Sequence, residues 1–310
     1  YAELYLDNAK KAEWGKMTSV APATTGANSE CNVRLPLIFF FNRNPGLFLP
    51  LIALQYHEVR LDIDLSAQYG DFFDGVKVWG NYVYLDTEER RRFAQKGHEY
   101  LIEQVQHTGA DAISSPGTSQ QSIRLSYNHP VKELVWCYNV DKTSGQGAQA
   151  NQLWNFTRHP ELSNVTSNVY KFSDGGASSN VALVQPHLSG APFLAVGSAA
   201  GAGRMLSERG ADSLGGVTVG PLAEFKLVLN GQDRFKAQNG GYFNEYQPMQ
   251  YHSGCPYAGV YAYSFALKPE EHQPTGTCNF SRIDNAQVQV TLKETGLTQQ
   301  SMFATNYNVL

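Results

Sequence analysis

The sequence predicts an all-β chain built as antiparallel sandwiches, and three observations carry that prediction. First, several segments alternate apolar with polar residues. Val59, Leu61, Ile63 and Leu65 are separated by Arg60, Asp62 and Asp64; Ile123, Leu125 and Tyr127 by Arg124 and Ser126; Val288, Val290 and Leu292 by Gln289 and Thr291. A period of two puts one face of a strand in a core and the other in water. Second, these segments are short and are separated by turn residues, among them Asn230-Gly231, whose tolerance of positive φ suits a type I′ hairpin. Third, no helix-length pattern recurs between successive strands, so βαβ units and a parallel sheet are excluded.

Residues 1–32 differ from the rest. Leu4, Tyr5, Ala9, Ala12 and Trp14 stand among Lys and Glu, a pattern for a short helix, and a small-residue loop follows. VRLPLIFFF (33–41) reads as a strand buried on both faces, NRNPG as a turn, and 58–65 as a half-buried strand with Val59, Leu61, Ile63 and Leu65 facing a core. GVKVWGNYVYLDT (75–87) is the next strand candidate. TEERRRFAQKG (87–97) is charged and lacks period two, so it reads as a connector with a helical turn. Strands resume at 98–106, 122–128 and 133–139. Residues 141–222 are rich in Gly, Ser and Ala and weakly periodic, which marks a large exposed insertion. Further strands are expected at 224–235, 259–269, 276–284 and 285–294. An aromatic strand leads through a Pro turn to an alternating strand twice, once in each half. This implies two copies of one β-domain, and a jelly roll is one architecture that satisfies it.

Composition narrows the function. Net charge is −4, and the one basic run, Arg90-Arg91-Arg92, follows Glu88 and Glu89, so no electrostatic footprint for direct nucleic-acid binding is present. Charged residues make up 17%, below the usual quarter, while aromatics reach 12%, a balance suited to broad β-surfaces and large interfaces. No apolar run approaches the 18 residues of a transmembrane helix; LPLIFFF is too short. Cys31, Cys137, Cys255 and Cys278 are far apart with no C-x-x-C, which points to a reducing compartment.

Catalytic and cofactor motifs are absent: no G-x-S-x-G, no H-E-x-x-H, no P-loop. GSAAGAG (197–203) lacks the Lys-Ser/Thr of a phosphate cradle. His98, His107 and His129 precede Cys137 at spacings that match no zinc pattern. The expectation is therefore no catalytic residue, no metal and no cofactor. Asn155 and Asn164 carry N-x-S/T in the exposed insertion and are the candidate glycosylation sites; Asn279 carries it in a strand candidate.

Six blocks carry a resemblance: LPLIFFFNRNPGLFLPLIALQYHEVRL (35–61), YVYLDTEERRRFAQKGHEYLIEQVQ (82–106), NHPVKELVW (128–136), LNGQDRF (229–235), YSFALKPEEHQPTGTCNFSRIDNA (263–286) and NYNVL (306–310). In this order they resemble the major capsid proteins of nucleocytoplasmic large DNA viruses, those of algal viruses more than iridoviruses. The resemblance implies a double jelly roll and a homotrimer forming a pseudo-hexagonal capsomer of an icosahedral shell. It also implies contacts with neighbouring capsomers and minor capsid proteins, and virion location after assembly in host cytoplasm. Outward loops would meet the host surface. By comparison with the family the first jelly roll is expected to be incomplete: a helix/loop segment at 1–32, its C-terminal half at 33–88, a connector at 89–97 and a second jelly roll at 98–310. The chain is expected to be a piece of a longer protein. The alternative reading, from fold analogy, is a carbohydrate-binding or glycosidase β-sandwich, which requires convergent carboxylates in a cleft.

Overall fold

A computed structural model describes residues 1–18, 33–63, 75–113, 120–140, 156, 181–184, 193–196, 204–205, 220–256, 259–293 and 297–310. The chain divides into two compact units, residues 1–37 with 103–308, and residues 38–102 with 309–310.

The larger unit is a two-sheet sandwich. Its strands, in chain order, are β1 (Leu101–Ala112, entering from the smaller unit), β2 (Gln121–Leu125), β3 (Pro130–Val140), β4 (Val181–Val184), β5 (Phe193–Val196), β6 (Arg204–Met205), β7 (Leu222–Leu229), β8 (Gln232–Asp233), β9 (Gln238–Asn239), β10 (Val260–Ser264), β11 (Cys278–Asn279), β12 (Ala286–Leu292) and β13 (Leu297–Val309). One sheet runs β1-β13-β3-β10 with β11 also on β3; the other runs β2-β12-β7-β8 with β9 also on β7. Strands β1, β2 and β3 alternate between the sheets, as do β10, β12 and β13, and the β7–β8 hairpin sits between the two sets. That exchange is the jelly-roll connectivity.

The alternating segments fill the space between the sheets. Ala286, Val288, Val290 and Leu292 of β12 point inward, as do Ile123 and Leu125 of β2, with Tyr127 just beyond it. Val288 pairs with Ile123 on one side and Leu227 on the other, so three apolar side chains line up across the sheet. The facing sheet contributes Leu134, Trp136 and Tyr138 of β3 and Met302 and Ala304 of β13. Trp136 stacks on Phe225 at 4.3 Å between ring centroids and also meets Phe243 and Tyr261.

The β7–β8 hairpin forms at Asn230-Gly231, with φ of 51° and 80°, and Leu229 pairs with Gln232. Asn230 and Asn285 are tied twice, Asn230 N–H to the Asn285 carbonyl (2.7 Å) and Asn285 N–H to Asn230 Oδ1 (3.1 Å). A Cβ at Gly231 would meet open space, so substitution is penalised by the backbone alone. Gly231→Val is expected to destabilise by about 1–2 kcal/mol, read as a lower urea midpoint at unchanged slope.

The insertion differs from expectation. Within 141–222, β4, β5 and β6 form an antiparallel sheet of their own, Val181 opposite Val196 and Ala195 opposite Met205. Short apolar runs, VALV and FLAV, build it, and the surrounding Gly, Ser and Ala dilute their signal in sequence. GSAAGAG lies outside the described residues.

Two helices precede the sandwich, α1 (Ala2–Tyr5) and α2 (Asn8–Thr18), where a single short helix was expected. The smaller unit carries the main correction. Residues 33–39 carry no regular structure and lead into α3 (Phe40–Arg43) rather than forming a strand. Residues 58–63 and 75–86 carry no regular structure and no ladder partners among the described residues. Val59, Leu61 and Ile63 are 46%, 40% and 48% exposed instead of core-facing, and Leu65 lies outside the described residues. Alternation marks a chain suited to a sheet, but burial needs neighbouring strands and a covering layer, and neither stands over these residues here. The connector is α4 (Thr87–Gln95), capped by Asp86, whose carboxylate accepts from Thr87 N–H at 2.7 Å. Glu88 and Glu89 occupy its first turn and Arg92 its last, the order that complements the helix dipole.

Candidate functional site

The polar interior of the larger unit begins at a bulge. β13 pairs Thr305 with Glu133 and then Asn306 with Val131, so Lys132 is skipped. Its carbonyl accepts instead from Phe265 N–H (2.9 Å) and Ala266 N–H (3.2 Å). The extra residue restores inward direction to both Val131 and Leu134 and buries the side chains of Lys132 and Glu133.

Lys132 Nζ lies 2.8 Å from Glu103 Oε1, and 5.4 Å from the ring centroid of Tyr307 on the intervening β13. His272 Nδ1 approaches the same Glu103 oxygen at 3.6 Å. This pair fastens the edge strand β1 to the central strand β3.

Glu133 heads a second group. Tyr5 of α1 donates its hydroxyl to Glu133 Oε1, and Thr305 Oγ1 donates to it at 3.0 Å. His252 places Nε2 at 3.4 Å from Glu133 Oε2 and Nδ1 at 3.5 Å from Glu270 Oε1. The His252 and Glu133 side chains are each 1% exposed. Glu270 accepts from Ser253 N–H (2.7 Å) and from the Ser253 hydroxyl.

Burial pushes the Glu270 carboxyl upward, but hydrogen bonds from His252 and Ser253 outweigh it and hold the group below the ordinary carboxylate range. A depressed folded-state value stabilises fully above the unfolded glutamate value, about 4.3, and that stability is lost as pH falls through the lowered value. Glu270→Gln is therefore expected to flatten the acid limb of the stability curve while leaving its shape above about pH 6 unchanged, as measured by urea midpoints across the acid range.

Serine, histidine and glutamate meet here, but not in a nucleophile's order. The Ser253 hydroxyl donates its hydrogen bond to the Glu270 carboxylate and not to the imidazole, unlike the serine–histidine pairing of a nucleophilic triad. The cluster fastens one element to another.

The structure disperses the histidines singled out in sequence. His98 Nε2 contacts the Phe93 carbonyl at 2.9 Å, His107 stacks on Phe303 at 4.4 Å, and the His129 backbone donates to Ser281 Oγ at 2.8 Å. Cys137 is buried. No group of three or more His, Cys, Asp or Glu able to hold a metal occurs among the described residues. Among those residues no helix is long and apolar enough to cross a membrane. Arg91 pairs with Glu88 at 3.1 Å on the exposed face of α4. Asn155 and Asn164 lie outside the described residues. Sequence reading missed Glu103, Lys132, Glu133, His252 and Glu270. The available signal was the adjacent Lys-Glu inside an otherwise apolar strand, VKELVW.

The smaller unit presents a different kind of site. Tyr56, Trp79 and Tyr84 are 94%, 89% and 94% exposed, and Tyr82 and Val83 beside them are also bare. They stand exposed for the same reason as Val59 and Leu61, with no neighbouring strand or covering layer over them among the described residues.

Jelly-roll connectivity and interior charges that tie strand to strand define a structural β-protein. Comparison with known proteins places it further. Residues 89–310 match the family described as large eukaryotic DNA virus major capsid protein, and residues 1–86 match the major capsid protein N-terminus. The chain belongs to that family of viral major capsid proteins. It is 38% identical to the major capsid protein of Phaeocystis pouchetii virus, over 93% of this chain and 65% of the relative. It is 37% identical to that of Paramecium bursaria Chlorella virus 1, over 100% of this chain and 71% of the relative. The chain thus spans about two thirds of the length of these relatives. The major capsid protein of Rana tigrina ranavirus is more distant, at 24% identity over 86% of the chain. Among solved structures, PBCV-1 VP54 matches with a TM-score of 0.62 and 31% identity, covering all of this chain and 74% of that one. The quasi-atomic model of the PBCV-1 capsid matches at 0.60. These neighbours are double jelly-roll proteins, in agreement with the fold class read from sequence.

Proposed function

We propose that this chain is a shell-building subunit of a large icosahedral DNA virus and not an enzyme. It works as a homotrimer whose tandem jelly rolls form a pseudo-hexagonal capsomer. The observation that carries this is the strand order β1-β13-β3-β10 against β2-β12-β7-β8 in a chain of the capsid family. A sandwich of this kind offers flat sides that pack against neighbours, and aromatic area buried at about 25 cal/mol per Å² drives association. In this reading residues 33–88 belong to the first jelly roll, 89–97 connect, and 98–310 form the second. The exposed aromatics of 75–86 are then interface or core residues awaiting their cover. Neighbouring capsomers and minor capsid proteins are its partners in the virion, assembly takes place in host cytoplasm, and the insertion faces outward to the host surface. Asn155 and Asn164 are the candidate glycan acceptors on that face, which intact mass of virion protein tests directly. Among the described residues nothing favours the sugar-binding or glycosidase alternative. Sedimentation of the full-length protein at micromolar concentration is expected to show a trimer; monomer alone across that range would refute the assignment.

A further inference from the structure

We propose that Asn244 and Gln247 act as a surrogate strand that closes the β10 edge of the sandwich and so keeps a second copy of this chain from pairing there. β10 ends its sheet, with β3 on one side and no strand on the other among the described residues. In an antiparallel pair the N–H and C=O of one residue point to the same side, and successive residues alternate. The Val260 carbonyl accepts from Asn244 Nδ2 at 2.8 Å, and the Ser264 N–H donates to Gln247 Oε1 at 3.1 Å. Val260 and Ser264 stand an even number of residues apart, so both turn their backbone groups away from β3, to the side where a further strand would pair.

The cover over this edge is a π-helical turn (Tyr242–Tyr246) that runs into a short helix (Gln247–Tyr251). A helix cannot extend a sheet through its backbone, because its N–H and C=O groups are spent along its own axis. A side-chain amide carries the same donor and acceptor as a peptide group, and here two of them stand where a strand's would. Gln247 is oriented for this: its Nε2 donates to the Tyr242 hydroxyl at 2.9 Å, which leaves Oε1 to face Ser264. Phe243 pins the segment in the core against Trp136 and Phe225. Asn244 and Gln247 are buried beside Phe243 and Pro248, while Tyr246 and Met249 are exposed. Packing alone would call for apolar residues on the buried face, so two amides there need a reason, and the edge supplies it. β10 is buried along its whole length, and buried backbone groups left without a partner are costly. Bared, the same groups would form a template for the identical edge of another copy, paired antiparallel about a two-fold axis.

Hydrogen exchange of the whole chain, read amide by amide over residues 259–266 and combined with sedimentation, tests this. The wild-type Ser264 amide is expected to be protected although it lies on a sheet edge. Gln247→Leu should speed its exchange about tenfold, while the Tyr263 amide, which faces β3, keeps its protection. Asn244→Leu combined with Gln247→Leu should form species larger than the wild-type assembly as concentration rises, and the Ala262 and Ser264 amides should regain protection as those species form. Met249→Ser, on the exposed face, should change neither readout. Val288→Ala, which loosens the core between the sheets, should lower stability without the concentration-dependent recovery at Ala262 and Ser264. Unchanged Ser264 exchange in Gln247→Leu, or a loss shared equally by Tyr263, would overturn the proposal. So would a folded double variant that keeps the wild-type size at every concentration, or one whose larger species form without renewed protection at Ala262 and Ser264. The single variant decides the first point even if the double variant does not fold.

Discussion

Trp136→Ala is expected to destabilise the larger unit by about 3–5 kcal/mol. Trp136 is buried where the two sheets meet, against Phe225 from one sheet, Tyr261 from the other and Phe243 from the segment between β9 and β10. Truncation removes a large indole from among rings that are themselves held by strand pairing. Phe225 is fixed opposite Val290 and Gln238, and Tyr261 opposite Trp136 itself. The walls therefore close only slightly, and most of the cavity persists. Most small domains have about 5–15 kcal/mol in total, so the variant should sit near its unfolding threshold. Urea titration followed by far-ultraviolet circular dichroism reads the effect. A loss below about 1 kcal/mol would mean that the aromatic cluster is not the centre of the core.

The second large effect is expected at the buried pair of Lys132 and Glu103. Lys132→Ala takes the ammonium away from the largely buried Glu103 carboxylate, and should destabilise by about 3–5 kcal/mol. Replacing both partners by apolar residues of similar size, Lys132→Met with Glu103→Leu, should recover most of that loss. The desolvation of two charges is removed together with their attraction. A double-mutant cycle on urea midpoints decides the matter. Single effects that simply add would show that the two side chains do not act as a pair. The pairing also accounts for why charged residues stand in a central strand: the Lys132 ammonium reaches across Tyr307 to tie the edge strand to the middle of the sheet.

How far the sequence was legible varied with the kind of information each element carries. β12 was read correctly residue by residue, because Val288, Val290 and Leu292 alternate with polar neighbours and the strand has one face inward. The β7–β8 hairpin was read from two residues, since only a few side chains accept the positive φ that Asn230 and Gly231 adopt. β13 was not read, although at 13 residues it is the longest strand among the described residues. Its Gln299, Gln300, Ser301, Thr305 and Asn306 look like loop, and several find their partners far away in the chain. Asn306 Oδ1 accepts from Gln106 at 2.9 Å, and Thr305 donates to Glu133. Such polar residues are strand-like only once the sheet exists around them. Residues 58–63 show the converse: the alternation is plain, yet Val59, Leu61 and Ile63 stand exposed, because alternation states a preference for a sheet and does not provide one.

The buried ionic groups were the least legible part. Glu103, Lys132, Glu133, His252 and Glu270 are spread over 168 positions by their numbering, and no spacing links them. By itself the sequence determined the antiparallel β class, the hairpin, the inward faces of β2 and β12 and, through six blocks of residues, the family. Those features rest on local periodicity, backbone preference and direct likeness, all of which are written along the chain. Only the tertiary structure decided which strands neighbour one another, that Lys132 sits in a bulge, and that His252 lies between two carboxylates beneath Tyr5. The physical reason is that charge pairing and desolvation act through distance in space, and the fold alone sets that distance.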